Sequence, residues 1–472
     1  MLVQEKSRVI PGGRSGFEAG RAGLIVLIVV AVAAAVGTGM YYNGNLNSWL
    51  CDGPCGPAAV AAPEGVAVQH TAPAASVAAT VKPISKAKFT KAVAEPLSSG
   101  RLGSRPGFVA LDMATGKTLM SQNAGAHTPA SLDKLLIGFA ALEALGPDHR
   151  FTTTVRRDGK KLVLVGGGDP YLSDVNSAKA PAGQGDLADL AKQVAALVGG
   201  EDASFTVDYD LSAFSGKRVA KGWKSDFVAA DIATEVTPLA IERHSKTVRR
   251  HRDQPAYATE RFVDLLEARG VKITGTPEEV TKKDIGGKTI ASVASARLGQ
   301  IVDAVNAASN NDGAEMLLRH VAIAGGKTAT FEGGSAEVER IVKKAGIPTK
   351  GLVVTDGSGL SRSNQVSPKT LSELLVTAMK DQRTAGLVTG LAVGGYSGTL
   401  KDRFARATDG RGWVRGKSGT LTGIINLAGT VTLSGGRTVA FALMADHANG
   451  IDPTAVKHAV DDLAVAMANC GC

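Results

Sequence analysis

The chain has 472 residues, which is too long for one compact domain, and its 44% apolar and 21% charged residues are typical of a folded protein. The formal charge of +9 suits any acidic polymer, but the densest basic run, residues 243–252, lacks the interleaved aromatic residues that stack on single-stranded bases. These properties exclude a wholly disordered chain and argue against a nucleic-acid partner, so we interpret the basic run as a solvated loop.

The amino terminus predicts a membrane segment. Residues 23–42 are nearly all apolar, and at about 1.5 Å per residue they approximate the roughly 30 Å hydrocarbon core of a bilayer. Basic residues before this segment place residues 1–22 in the cytoplasm and the rest of the chain outside: Lys6, Arg8, Arg14 and Arg21. A cleaved signal peptide, which would release a secreted protein, is the alternative, but its apolar region is usually only ~7–15 residues long. We therefore predict an uncleaved anchor.

The four cysteines lie in two pairs, Cys51 with Cys55 just after the anchor and Cys470 with Cys472 at the end of the chain. Their spacing differs from the repeated two-residue pairs of zinc sites, so no metal site is expected. Outside the cell, disulfides are the favoured state. Our hypothesis is that the carboxy-terminal pair bridges to the juxtamembrane pair.

Residues 56–90 are rich in Ala, Pro and Val without periodicity, and we predict that residues 43–90 form a tether. A hairpin is predicted over Phe108–Met120, with its turn at Thr115-Gly116. Apolar residues then follow helical spacing from Ser131 to Leu145, at Leu132, Leu135, Leu136, Phe139 and Leu142.

From residue 151 to about residue 289, short strands and helices alternate with glycine breaks, beginning with a strand at Lys161–Val165. We predict that residues 151–289 form one accessory domain, inserted into a catalytic body made of residues 91–150 and 290–472. Further elements of the body are, in chain order, helices over Leu298–Ser309 and Ala314–Val321, a helix beginning at Ser367-Pro368, two β-rich runs between Trp413 and Ala445 that turn at Gly435-Gly436, and a last helix opened by Asp452-Pro453.

Three short motifs occur in this body: Ser131-Leu132-Asp133-Lys134, Ser309-Asn310-Asn311 and Lys417-Ser418-Gly419. The order S-x-x-K, S-D-N and K-T-G is typical of penicillin-binding proteins and class A β-lactamases. Each motif alone is weak, because Ser85-Lys86-Ala87-Lys88 also fits the first pattern although it lies in the predicted tether. The ordered set, each member in a suitable structural context, predicts a catalytic site.

Ser131 is the candidate nucleophile. At the start of an apolar-faced helix, free backbone N–H groups and the positive end of the helix dipole favour the negative charge that develops during acyl transfer. Lys134 lies three residues on, on the same face of the helix. It can accept the serine proton only if burial or a second cation, which Lys417 can supply, lowers its pKa. Alone, the pair also fits a helix cap and a surface lysine.

The second and third motifs offer groups that bind a peptide. The Ser309 hydroxyl can relay a proton between base and leaving group, and the Asn311 amide can hold a substrate backbone. Lys417 and Ser418 can bind a substrate carboxylate. Taken singly, these motifs also fit a polar turn between helices and a charged turn at a sheet edge.

The strand that carries the third motif offers two backbone features as well. Gly419 would allow a ligand to approach the strand closely. The N–H of Thr420 could complete an oxyanion hole with the N–H of Ser131.

Further segments of the chain resemble the low-molecular-mass class C penicillin-binding proteins, the D-alanyl-D-alanine carboxypeptidase/endopeptidase family: Pro129–Ser131, Val165–Pro170, Val207-Asp208 with Phe214, Gly222-Trp223 followed by Asp226, Asp356–Arg362 and Gly398–Arg403. The resemblance covers about residues 95 to 465. It implies an α/β (α+β) fold of the transpeptidase/β-lactamase type, with an antiparallel sheet flanked by helices and accessory structure inserted between the first two motifs.

The resemblance also implies an activity. Peptidoglycan stem peptides ending in D-Ala-D-Ala would acylate Ser131 and release D-alanine, water would hydrolyse the acyl-enzyme, and β-lactams would inhibit by acylating the same serine. The other roles implied are Lys134 as base, Ser309 as proton relay, Asn311 as substrate clamp, and Lys417 with Ser418 as carboxylate site. No cofactor is implied. The enzyme would act on the outer side of a bacterial cell membrane, at the wall.

The chain departs from the family in two places. Residues 243–254 stand where a further small domain is expected, so we predict one accessory domain rather than two. Ser418 replaces the commoner threonine and keeps the hydroxyl. Two alternatives stay open at this point, a β-lactamase-like hydrolase and a catalytically silent module that binds the wall. The sequence does not rank carboxypeptidase above endopeptidase activity.

Overall fold

The structure is a computed structural model that describes residues 83–174, 184–241, 251–280 and 286–472. Its strands are β1 (Gly107–Asp112), β2 (Thr118–Gln122), β3 (Thr152–Asp158), β4 (Lys161–Val165), β5 (Ser204–Asp210), β6 (Lys272–Ile273), β7 (Glu279–Val280), β8 (Lys288–Ala294), β9 (Ala392–Val393), β10 (Val414–Leu421), β11 (Ile424–Thr432) and β12 (Thr438–Ala445). Its helices are α1 (Lys86–Leu97), α2 (Asp133–Leu145), α3 (Leu187–Val198), α4 (Gln254–Glu267), α5 (Leu298–Ala308), α6 (Asn311–Ala324), α7 (Phe331–Lys344), α8 (Pro368–Ala378), α9 (Gly386–Thr389) and α10 (Pro453–Ala468).

The first sheet is antiparallel throughout and has the strand order β2-β1-β12-β11-β10-β9. Helices cover both of its faces. Because side chains alternate along a strand, β1 directs Val109 and Leu111 into one core and Phe108 and Ala110 into the other. Burial of a phenylalanine such as Phe108 contributes roughly 1.5–3 kcal/mol, and the double coverage explains why β1, β11 and β12 are buried along almost their whole length.

The two cores of this sheet use different helices. Helices α1 and α10 pack against one face, where they contact the buried side chains that β11 and β12 direct to that face. Helices α2 and α8 pack on the opposite face, and α5, α6 and α7 lie behind α2. Helix α2, which begins two residues after Ser131, is therefore enclosed on all sides, and ten consecutive residues from Asp133 to Leu142 are buried.

The second sheet consists of strands from residues 152–294, in the order β6-β5-β4-β3-β8, with β7 beside β5. The β3–β4 and β3–β8 pairs are antiparallel, whereas β4–β5 and β5–β6 are parallel. Helices α3 and α4 pack against this sheet over a separate core. The chain enters it directly after α2 and returns from β8 to α5.

The last three strands of the first sheet differ from the two β-rich runs that the sequence predicted. Three strands lie between residues 414 and 445, because the first run folds back on itself between Leu421 and Ile424. Gly423, with φ of 75°, lies in that tight turn. The predicted turn at Gly435-Gly436 does connect β11 to β12.

Of the predicted tether, residues 43–90, only residues 83–90 are described. Ser85 caps α1 by accepting a hydrogen bond from the N–H of Lys88, so the helix starts inside the range that the sequence assigned to the tether. The predicted cytoplasmic tail, anchor and most of the tether, residues 1–82, lie outside the described residues. None of the helices described is long and apolar enough to cross a membrane.

The cysteine pairing corrects the predicted bridge between the two ends of the chain. Cys470 is bonded to Cys472, at a Cα–Cα separation of 5.2 Å. The carboxy-terminal pair therefore closes on itself, and Cys51 and Cys55 lie outside the described residues. The N–H of Ser85 donates to the carbonyl of Cys472 at 2.9 Å, so the chain end lies against the start of α1.

A buried ion pair connects α10 to the segment that follows β9. Asp461 accepts hydrogen bonds from Arg403 Nε at 2.9 Å and Arg403 Nη2 at 2.6 Å, and the two side chains are only 6% and 7% exposed. Removal of one partner would leave the other charge buried and unpaired.

We expect Asp461→Ala to lower the free energy of unfolding by about 3–5 kcal/mol, because the Arg403 guanidinium loses its counter-charge in a dry site. Asp462→Ala is the matched control, since Asp462 pairs with Arg101 at 3.3 Å where the side chains are 45% and 53% exposed, and its loss should be below about 1 kcal/mol. Urea unfolding followed by circular dichroism measures both. Equal losses in the two variants would contradict the expectation.

Candidate active site

Ser131 lies in a single 3₁₀ turn, Ala130–Leu132, that leads into α2. Ala130 has a left-handed backbone with φ of 50°, which costs roughly 1–3 kcal/mol and must be held by its surroundings. Asn426 on β11 provides part of that restraint, because its amide donates to the carbonyls of Thr128 at 3.0 Å and Pro129 at 2.9 Å. The nucleophile candidate is thus fixed against the sheet.

Two glycines allow neighbouring backbones to approach this turn. A Cβ on Gly359, where φ is 81°, would lie 1.9 Å from the Ala130 carbonyl oxygen. A Cβ on Gly419 in β10 would lie 2.6 Å from the Pro129 carbonyl oxygen. Since real Cβ atoms do not come this close, both positions require glycine, and β10 packs directly beside the turn that carries Ser131.

Lys134 is 1% exposed and its Nζ contacts three oxygen atoms. These are Ser131 Oγ at 3.0 Å, Asn311 Oδ1 at 2.9 Å and the Ser358 carbonyl at 2.5 Å. The sequence-predicted pair is therefore in hydrogen-bond contact, and the second motif reaches the same lysine.

Burial lowers the pKa of Lys134 from 10.5 to about 8, and nearby Glu315, Asp356 and Asp133 act in the opposite direction. Of the two causes that the sequence allowed, burial or a second cation, burial is thus the main one. A lysine with this pKa has a substantial neutral fraction near pH 8.

Lys417 and Ser309 form a second contact group. Lys417 is fully buried, and its Nζ donates to Ser309 Oγ at 2.9 Å and to the Ser418 carbonyl at 2.8 Å. Burial, followed by the nearby charge of Lys134, lowers the pKa of Lys417 well below its ordinary value. Ser309 itself ends α5 in a left-handed conformation with φ of 55°, which directs the chain into α6.

Asn311 connects Lys134 to the segment that precedes α4. Its Oδ1 accepts from Lys134, and its Nδ2 donates to the Ile232 carbonyl at 2.8 Å. The Nδ2 contact fixes which end of the amide faces the lysine. One Nδ2 hydrogen remains for another acceptor.

The remaining predicted residues follow along β10. Ser418 Oγ donates to Thr399 Oγ1 at 2.9 Å, Gly419 packs on the Pro129 carbonyl, and Thr420 pairs with Ile425 in the β10–β11 ladder. All eight predicted site residues therefore lie on three neighbouring pieces of structure: the start of α2, the α5–α6 turn and β10.

The chain matches the profile of the D-Ala-D-Ala carboxypeptidase 3 (S13) family over residues 89–245 and 238–469. Carboxypeptidase DacB of Mycolicibacterium smegmatis is 35% identical over 470 residues, which cover 96% of each chain. The D-alanyl-D-alanine carboxypeptidase of an Actinomadura species is 30% identical over 443 residues, covering 76% of this chain and 80% of that relative. This chain belongs to the D-Ala-D-Ala carboxypeptidase 3 (S13) family.

Solved structures agree on the fold. Penicillin binding protein 4 from Haemophilus influenzae superposes with a TM-score of 0.64 at 21% identity, over 82% of this chain and 98% of that one. The same protein in complex with a novel β-lactam gives a TM-score of 0.59. The α+β fold and the serine-type D-Ala-D-Ala carboxypeptidase activity expected from the motifs are confirmed.

Two acidic residues outside the three motifs of this S13 chain hold the segment that contacts Lys134. Glu315 Oε2 accepts from the N–H of Gly357 and Oε1 from the N–H of Ser358, both at 2.8 Å, and the Ser358 carbonyl in turn accepts from Lys134. Asp356 binds the same segment and accepts from Trp223 Nε1 at 2.7 Å. These are positioning residues, since they act through the Ser358 carbonyl.

A sequence signal existed for both residues. Glu315 lies four positions after Asn311, on the same face of α6, and Asp356 opens a segment already noted for its family resemblance. Burial and the neighbouring Asp356 raise the pKa of Glu315. Asp133 is also buried, and neither of its carboxylate oxygens has a hydrogen-bond partner among the described residues. Burial raises its pKa well above the usual range.

Away from Ser131 and Lys134, the described residues bring three side chains of the metal-ligating types together at one place. His127, Asp446 and His447 lie with their ligand atoms within 4.8 Å of one another. Both ring nitrogens of His127 already have partners, Asp446 at 2.6 Å and the Asn123 carbonyl at 2.8 Å, and the second Asp446 oxygen accepts from the N–H of Thr128. These atoms serve to hold the segment before Ser131.

We expect Glu315→Gln to slow acylation by a penicillin roughly 10- to 100-fold, because one charge-assisted hydrogen bond to the segment that holds Lys134 is lost. The two backbone N–H groups that donate to Glu315 favour its ionised form, and that form raises the pKa of Lys134, so its removal should move the pH inflection of acylation below about 8. Stopped-flow acylation across pH measures both effects.

Glu339→Gln is the matched control, because Glu339 also accepts from a backbone N–H of this region, that of Val354 at 3.3 Å, without a contact to Lys134 or Ser358. It should keep the rate and the inflection. If Glu315→Gln behaved like this control, the positioning role of Glu315 would be wrong.

Proposed function

We propose that Ser131 is the nucleophile of this carboxypeptidase and that neutral Lys134 is the base that takes its proton. The observation that supports this most directly is the set of partners around Lys134 Nζ. A neutral amine has two N–H groups and one lone pair. Asn311 Oδ1 and the Ser358 carbonyl can only accept, so they take the two N–H groups, and the lone pair is left for the hydroxyl hydrogen of Ser131.

The acylation step follows from this arrangement. Ser131 Oγ attacks the carbonyl carbon of the penultimate D-alanine while its proton passes to Lys134. The N–H groups of Ser131 and Thr420 are proposed to stabilise the oxyanion, which fits the contact of β10 with the turn before α2. The C–N bond then breaks, and the leaving amine receives the proton.

Ser309 is proposed to carry that proton from Lys134 to the leaving D-alanine. The Ser309 hydroxyl accepts a hydrogen bond from Lys417, so its own hydrogen is free to donate. Ser309 also precedes Asn311 by two residues, and the Asn311 side chain contacts Lys134. Water then attacks the acyl-enzyme and regenerates Ser131. β-Lactams, one of which is bound by the structurally similar Haemophilus influenzae protein, would follow the first step and remain on the serine.

Substrate recognition is proposed for the remaining residues. Lys417 and Ser418 would bind the terminal carboxylate of the stem peptide, and Asn311 would use its second amide hydrogen to hold the peptide backbone. Gly419 leaves space for the peptide beside β10. Comparison of D-alanine release from a pentapeptide with cleavage of a cross-linked dimer tests whether endopeptidase activity accompanies carboxypeptidase activity.

We also propose the setting of the enzyme. Residues 23–42 would anchor it in a bacterial cell membrane with its body at the wall, and cleavage of this segment would yield a secreted form. Residues 91–150 and 290–472 are proposed as the catalytic domain and 151–289 as the inserted accessory domain. The core of the second sheet supports an inserted unit, whereas residues 214–236 of the insert pack into the core beside α2, and β8 continues the second sheet to Ala294.

Replacement of the nucleophile gives the sharpest test of the function. Ser131→Ala should abolish covalent labelling by a fluorescent penicillin, because no other group would form the acyl-enzyme. Ser85→Ala is the control, since Ser85 has the same S-x-x-K spacing but caps α1, and it should label like the wild type. Labelling that persists in Ser131→Ala refutes the nucleophile, and a wild type that never labels favours the silent wall-binding module.

The pH dependence of acylation tests the base. Lys134 acts only when neutral, and its pKa of about 8 means that the neutral fraction grows as the pH rises through that value. The second-order rate constant for penicillin acylation should therefore increase with pH and level off above about 8, after correction for spontaneous hydrolysis. A rate constant independent of pH across this range would exclude Lys134 as the titrating base.

A further inference from the structure

The loop between β9 and residue 400 places Thr399 beside the candidate active site. Gly398, with φ of 53°, packs so closely on the end of α5 that a Cβ there would lie 2.6 Å from the Ala307 carbonyl oxygen. Only glycine allows this approach. The next residue, Thr399, is thereby placed beside the turn that carries Ser309.

The loop is held rigidly at both ends. Ser397 Oγ accepts from the N–H of Val393 at 2.8 Å, and the N–H of Gly395 donates to the Leu400 carbonyl at 2.9 Å. Leu400 is fully buried, and Arg403 forms its buried ion pair three residues later. The position of the Thr399 hydroxyl is therefore set by the fold.

Two hydrogen-bonded pairs of polar side chains begin at neighbouring residues of β10. Lys417 Nζ lies 2.9 Å from Ser309 Oγ, and Ser418, the next residue, has its Oγ 2.9 Å from Thr399 Oγ1. Thr399 is exposed and Ser418 is half-buried, so both can reach a ligand that enters from solvent. A lysine amine, whose charged form a bound carboxylate would favour, and three hydroxyls can all donate to a carboxylate.

The hydrogen bond between Ser418 and Thr399 matters because residue 418 is a serine and not a threonine. A threonine there would be held in a preferred rotamer by its branched β-carbon, whereas a serine rotates freely among three. The Thr399 hydroxyl restores the restraint by a hydrogen bond. When a carboxylate binds, Thr399 can donate to Ser418, and Ser418 can turn its own hydrogen to the carboxylate.

We propose that Thr399 is a positioning residue for substrate specificity, which fixes the Ser418 hydroxyl for the terminal carboxylate of the peptide. The inference rests on the carboxylate role of Lys417 and Ser418 proposed above. The inference adds to that site a residue from a different loop. Thr399 is required because Ser418 lacks the β-methyl group that would otherwise restrain its hydroxyl.

The test uses Thr399→Val, which keeps the shape of the side chain and removes the hydroxyl. With the full-length protein and a D-Ala-D-Ala pentapeptide, KM for D-alanine release should rise about fivefold while kcat changes less than about twofold. Stoichiometric labelling by a fluorescent penicillin confirms that the variant is folded and that Ser131 reacts. Thr389→Val, an exposed threonine at the end of α9, is the control and should leave KM unchanged.

The decisive measurement is rescue. In the double variant Thr399→Val with Ser418→Thr, the added β-methyl should bring KM back to within about twofold of the wild type. A purely structural role of Thr399 would not be repaired by a methyl group on β10. An unchanged KM in Thr399→Val, or no rescue by Ser418→Thr, overturns the inference. A wild-type protein that releases no D-alanine would instead refute the proposed function, and the inference would fall with it.

Discussion

The mechanism proposed for this protein depends on one buried amine, that of Lys134. Lys134 is almost wholly removed from water, and the loss of hydration lowers its pKa to about 8 although three carboxyl groups lie near. Its Nζ contacts two acceptors and the Ser131 hydroxyl. In the proposed mechanism the two acceptors take the N–H groups of the neutral amine, and the lone pair is left for the proton of Ser131.

Most of the surrounding structure serves to hold those partners in place. Glu315 and Asp356 fix the segment whose carbonyl contacts the lysine, and Asn426 fixes the strained turn before the serine. Glycines at positions 359 and 419 let two backbones approach that turn more closely than any side chain would permit. These residues touch no reacting atom, yet they set the distances on which proton transfer depends.

The three motifs, together with the further segments that resemble the family, were sufficient to predict the family and the fold class. The pairing of Ser131 with Lys134 was predictable because helical spacing places residues three apart on one face. Less was predictable where contacts join distant parts of the chain. The hairpin turn at Gly423 was overlooked because the β-prone run is continuous across it. The disulfide between Cys470 and Cys472 replaced a predicted long-range bridge, and the sequence had no means to tell which sulfurs would be near.

The sequence by itself determined which chemical groups are available and in what local order: a serine at a helix start, a lysine one turn on, and two later motifs with a hydroxyl, an amide and a cation. Only the tertiary structure decided that Lys134 is buried, which acceptors take its hydrogens, and that Thr399 meets Ser418. The physical reason is that burial and hydrogen-bond partners belong to the packed whole. Residues more than a hundred positions apart create the environment that gives a lysine its function.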